Sequence, residues 1–103
     1  MNTTEKLHTE EVDLFFEAVL SLKNKEECYP FFEDICTVKE LLDIAQRFRV
    51  ASLLQEGTNY TEIGRLTGAS TATISRVNKS LEYGCDGYKL VLERLKNKTQ
   101  DQK

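Results

Sequence analysis

Three cations, Arg65, Arg76 and Lys79, stand close to a run of short side chains, Thr71-Ala72-Thr73-Ile74-Ser75. Such a set is suited to recognition rather than to bond-making. Guanidinium and ammonium groups neutralise phosphates, while hydroxyl and methyl side chains allow close approach to base edges and thymine methyls. No Asp or Glu lies between Thr67 and Leu81, so nothing on this stretch repels phosphate. Groups that make or break bonds are sparse. His8 is the one histidine, and Cys28, Cys36 and Cys85 contain no CxxC pair. A zinc site needs four N or S ligands at short paired spacings, so the cysteines read as small apolar groups. There is no nucleophile–base pair, Gly-rich phosphate loop or metal cluster. Glu10, Glu11, Glu26 and Glu27 read as helix-start charges. The expectation is a protein that is not an enzyme and takes no metal or cofactor.

The elements that must position these residues are two short helices. Asn59-Tyr60-Thr61-Glu62 is a capping box, so a helix runs from Tyr60 to Thr67. Gly68-Ala69-Ser70 breaks it, with φ > 0 expected at Gly68. Ser70 or Thr71 caps a second helix from Thr71 to Tyr83, which Gly84 ends. Ile63 and Leu66 face Ile74, Val77 and Leu81, and Gly64 is small where the two helices cross. The outward face of the second helix is then Thr71, Ala72, Thr73, Ser75, Arg76 and Lys79. This is the helix-turn-helix arrangement.

The remaining pattern is helical too. Val12, Phe15, Phe16, Val19 and Leu22 recur at three-and-four spacing over 9–24, behind a Thr9 cap. Cys28, Phe31, Phe32 and Ile35 repeat it over 26–36, with Pro30 near the helix start. Thr37-Val38-Lys39-Glu40 is a capping box that opens a long helix from Val38 to about Glu56, stopped by Gly57. That helix is apolar on most of its circumference and therefore central, with Phe48 in its core. A last helix spans about Asp86 to Lys96, with Tyr88, Val91, Leu92 and Leu95 on one face. Six helices and no strands predict an all-α fold. Residues 9–96 form a single helical domain, and 1–8 and 97–103 are polar, mobile tails. Within it, 9–56 is a dimerisation core, 60–83 the helix-turn-helix and 86–96 a C-terminal dimer helix.

The chain has 103 residues, 40% of them hydrophobic and 30% charged, the size and composition of one globular domain. No window approaches eighteen uninterrupted apolar residues, and the first residues lack a signal-peptide pattern, so a cytoplasmic protein without membrane attachment is expected. The net charge of -3 is unevenly spread. Residues 1–43 carry 4 Lys/Arg against 11 Asp/Glu, and residues 44–103 carry 10 against 6. One half is kept from polyanions and the other offered to them. A domain this small buries only about two-thirds of its unfolded surface. Five of six helices have wide apolar faces, which predicts a homodimer with a large apolar interface.

The stretch RFRVASLLQEGTNYTEIGRLTGASTATISRVNKSLEYG, residues 47–84, resembles the Trp repressor family, and within it the YerC/YecD-like branch. Ala72 to Arg76, ATISR, followed by Ser80-Leu81, is its most specific part, and TVKELLDIAQR resembles the family's T-P-x-E start to the central helix. The resemblance covers about residues 9–96. It implies a six-helix fold, an intertwined homodimer, and two reading heads about one DNA turn, roughly 34 Å, apart. It implies DNA contacts at Thr71, Ala72, Thr73 and Ser75, with phosphate contacts near Thr61, Gly64 and Arg65.

A ligand pocket would involve Arg47, Arg76, Val77 and Ser80 by the same resemblance. Tryptophan-responsive members hold the indole between two arginines. Arg76 matches the second. Arg47 matches the first if the loop before Tyr60 is one residue shorter here, and an ungapped register puts Gln46 there. The residue after the reading-helix arginine is Gly in tryptophan binders and Val77 here, which fills the space of the ring. The expectation is a sequence-specific DNA-binding transcriptional regulator, repressor-like and nucleoid-associated, whose partners are double-stranded DNA and a second copy of itself. It is not tryptophan-responsive, and the sequence names no small-molecule co-regulator. Two alternatives stand beside it: a helical dimerisation or protein-interaction module that has lost DNA binding, and a tryptophan- or amino-acid-responsive repressor.

Overall fold

The computed structural model describes the backbone of residues 3–101 and the side chains of residues 5–99. The described residues are all-helical, with seven helices: α1 (Thr3–Leu7), α2 (Glu10–Leu20), α3 (Lys25–Ile35), α4 (Val38–Gln55), α5 (Tyr60–Thr67), α6 (Thr71–Tyr83) and α7 (Gly87–Asp101). Six match the expected helices. The seventh, α1, falls where the sequence predicts a polar tail, and α7 runs past Lys96 to Asp101. Residues 1, 2, 102 and 103 of those tails lie outside the described residues. The chain divides between Val38 and Lys39 into two compact units.

The first unit holds α1 and two amphipathic helices, α2 and α3. The Thr9 hydroxyl accepts from the Val12 amide at 3.1 Å and caps α2, with Glu10, Glu11 and Asp13 in the positive first turn. Asn24 caps α3 by accepting from the Glu27 amide at 3.0 Å, and the Glu27 carboxylate accepts from the Lys23 amide at 2.8 Å. Pro30 is the sixth residue of α3, not near its start, so the helix forgoes the bond a residue there would donate to the Glu26 carbonyl. Phe15 and Phe31 stack at 6.1 Å with planes 20° apart, and Phe31 meets Phe32 edge-on at 5.3 Å. Even so, neither α2 nor α3 has a single buried residue. Leu20 is 82% exposed, Leu14 67% and Phe16 55%.

The second unit holds the core. Val50, Ala51 and Leu53 of α4 meet Ile63 of α5, Ala69 of the turn, and Ile74 and Val77 of α6, with Leu54, Tyr88 and Leu92 packed around them. Burial of these aliphatic groups, each worth about 1.5–3 kcal/mol for a large side chain, holds α4, α5 and α6 together. α4 ends as a Schellman motif. The Thr58 amide bonds the Leu53 carbonyl and the Gly57 amide the Leu54 carbonyl, with Gly57 at φ 88°. Phe48 corrects the expectation of a core residue. It is half-buried, its ring 6.3 Å from Tyr88. Leu66, Val91 and Leu95, also expected inward, are exposed, as are Val38, Leu42 and Ile44 of α4.

Candidate nucleic-acid interface

α5 and α6 are joined by a turn held by a set of hydrogen bonds. Asn59 caps α5 by accepting from the Glu62 amide at 2.9 Å. Gly68 ends the helix in the left-handed region, φ 75°, as the turn requires, and its amide bonds the Gly64 carbonyl at 2.9 Å. The Thr67 hydroxyl donates to the Ile63 carbonyl at 2.7 Å and accepts from the Ala69 amide at 3.1 Å. The Thr67 carbonyl accepts from Gln46 Nε2 on α4 at 3.0 Å. Ser70, of the two expected candidates, is the cap of α6, accepting from the Thr73 amide at 3.1 Å.

The apolar side of α6 is fixed inward. Ile74 is 1% exposed, Val77 2% and Leu81 6%. That sets the opposite side. Thr71, Ala72, Ser75, Arg76 and Lys79 all face solvent. Thr73 differs: it is half-buried, and its Oγ1 lies 3.1 Å from the Ser70 hydroxyl, so it belongs partly to the cap. On α5, Thr61 and Arg65 are exposed and Gly64 half-buried. A methyl group at Gly64 would lie 3.6 Å from the Ala69 carbonyl, an ordinary contact. The position therefore has room for a methyl group and does not require glycine itself.

Arg65 is engaged in the free chain. Its Nε donates to Glu62 Oε2 at 2.9 Å and its Nη2 to Glu62 Oε1. That hydrogen bond holds the Glu62 carboxyl below the usual glutamate range and raises Arg65 further. Sequence reasoning missed the pair because Glu62 reads as a capping-box acid. Its i,i+3 spacing to Arg65 is the signal that finds it.

Of the residues expected to line a ligand pocket, two share one concavity. Arg76 and Ser80 line a shallow concavity of about 330 Å³ with Lys79, Tyr83 and Gly84. Val77 is core, and Arg47 stands exposed on α4, outside that lining. Gln46, the other register's candidate, is occupied by the Thr67 carbonyl. Cys28, Cys36 and Cys85 are free thiols, and among the described residues no group of three His, Cys, Asp or Glu could hold a metal ion. No helix among them is long and apolar enough to cross a membrane.

A braced helix-turn-helix whose second helix exposes hydroxyl, methyl and cationic side chains, on an all-helical frame, defines a class of regulator-type folds. The chain belongs to the Trp repressor family, whose model matches residues 10–96. It is 52% identical over 92 residues to YerC of Bacillus subtilis (strain 168), covering 89% of this chain and 88% of that protein. The crystal structure of a TrpR-like protein from Eubacterium eligens ATCC 27750 superposes with a TM-score of 0.86 at 57% identity, over 88% of this chain and 94% of the other. A candidate Trp repressor from Staphylococcus aureus superposes at 0.89 with 46% identity, over 93% and 96%.

Proposed function

We propose that the chain is a sequence-specific DNA-binding transcriptional regulator, repressor-like, that works in the cytoplasm on the nucleoid as a homodimer. The observation that carries the reading is the exposed side of α6: five solvent-facing residues, two of them cationic, on a helix whose other side is locked into the core. Membership of the Trp repressor family supports it. In this reading Thr71, Ala72, Thr73 and Ser75 approach base edges. Arg76 and Lys79, with Thr61, Gly64 and Arg65 on α5, hold phosphates.

The homodimer rests on the apolar surface a single chain leaves in water. Two helices of eleven residues each with no buried side chain are not stable alone. A second copy presents the same apolar faces and covers them, as closed two-fold symmetry allows. Residues 9–56 and 86–96 supply that interface in this reading.

The regulator does not respond to tryptophan, because Val77 fills the core where an indole would need room. The shallow concavity beside Arg76 and Ser80 is left as a surface feature rather than an enclosed site. The same reading leaves the chain without catalytic work.

Selection of bound sequences from random duplex DNA, with and without added amino acids, tests this together with light scattering for mass. A dimer that recovers a palindrome with half-sites about one helical turn apart is the expected result. A folded dimer that recovers nothing would shift the function to protein interaction. Recovery only with L-tryptophan present would reverse the reading of Val77.

A further inference from the structure

Between Tyr60 and Leu81 the chain has one carboxylate, that of Glu62. Both of its oxygens engage the Arg65 guanidinium, Oε2 accepting from Nε at 2.9 Å and Oε1 from Nη2. This is the fork-to-fork match that makes Arg a bidentate donor to carboxylate and phosphate alike. Arg76 and Lys79 have no ion pair among the described residues, so Arg65 is the paired cation of the helix-turn-helix. The Arg65 side chain is 68% exposed and that of Glu62 41%, so another anion can reach the guanidinium.

We propose that Glu62 is an internal competitor for the DNA backbone. Its carboxylate occupies Arg65 in the free protein and is displaced by a phosphate on docking, so Glu62 sets DNA affinity through Arg65. The inference rests on the DNA-binding reading. Carboxylate and phosphate use the same donors, and one guanidinium face cannot hold both in bidentate form. Exposed ion pairs are weak enough to be exchanged, and displacing one lowers affinity by about 2- to 5-fold for each docked motif. The effect is largest at low salt, where screening is least.

The test compares the full chain with Glu62→Gln, Arg65→Gln and the double variant, measuring affinity for a labelled pool of random-sequence duplex DNA at low salt. Circular dichroism melts establish that each is folded. Glu62→Gln is expected to bind about 2- to 5-fold more tightly per motif. In the Arg65→Gln background the same change is expected to give a smaller gain, from relief of charge repulsion alone. An equal gain in both backgrounds would mean that Glu62 acts by simple charge repulsion, and the inference fails. Equal affinity of wild type and Glu62→Gln also overturns it, while leaving DNA binding intact. Binding by none of the four removes the DNA reading itself, and the inference with it.

Discussion

Gln46 of α4 donates from Nε2 to the backbone carbonyl of Thr67 at 3.0 Å, across 21 residues of chain. Thr67 is the last residue of α5, and its carbonyl is one of the four that a helix end leaves without an internal partner. The bond therefore satisfies an orphan acceptor and ties the turn of the helix-turn-helix to the central helix. Gln46→Ala is expected to lower stability by about 0.5–1.5 kcal/mol, the net worth of such a bond. DNA affinity should fall further than that loss of stability explains, because α5 gains freedom relative to α4. Urea denaturation and DNA titration of the same preparation check this. An unchanged midpoint would show that water replaces the glutamine without cost.

Thr71→Asp separates stability from binding. Thr71 is the first residue of α6, behind the Ser70 cap, where a negative charge is favourable by about 0.3–1 kcal/mol. The melting temperature should hold or rise. The same charge would face phosphate, so DNA binding should be lost. Loss of both together would place Thr71 inside the fold rather than at the interface.

Gly84→Ala tests a close approach. A Cβ on Gly84 would press on the Ser80 carbonyl oxygen, a backbone atom that cannot swing away. The Gly84 amide bonds that same carbonyl at 2.9 Å, so relieving the clash strains the end of α6. The expected cost is roughly 1–3 kcal/mol, a drop of several degrees in Tm for a domain of this size. A melt at wild-type temperature would mean that the exit from α6 bends freely.

Acid should act on the Glu62–Arg65 pair in a stated direction. The hydrogen bond from Arg65 depresses the Glu62 pKa in the folded chain. A depressed carboxylate adds stability that is present above its unfolded pKa and lost as pH falls through the folded one. The melting difference between wild type and Glu62→Gln should be constant at neutral pH and shrink below the ordinary glutamate range. The pair lies at the surface, with solvent reaching both side chains, so the difference is small. A difference that grew on acidification would contradict the pairing.

The helices were largely legible because each has a cap or a stop of known chemistry. Thr9, Asn59 and Ser70 all cap where their side chains predict, and Gly57 and Gly68 both take positive φ. The core of the helix-turn-helix was legible for the same local reason, since Ile63, Ile74 and Val77 follow helical spacing. What escaped was non-local. Gln46 reads as one polar residue on a helix, and nothing near it announces a carbonyl 21 positions on. Leu66 and Phe48 were expected in the core because periodicity gives a face but not what covers it. Asn24 and Glu27 have the capping spacing, and the cap they form starts α3 one residue before the expected 26. Asp86, at φ 63°, has no signature that distinguishes it from a helix-starting aspartate.

Val77 has one consequence beyond packing. It belongs to the same buried cluster that holds α4, α5 and α6 in register. On the proposed function, the reading head comes out of folding already set, with its own valine where a signal molecule would sit. Such a device has no input port at its centre. In that reading its output follows how many copies of itself the cell contains. Two chains must meet to make one reader, so its response rises steeply with dosage at low abundance. Control then passes to whatever makes and destroys the chain.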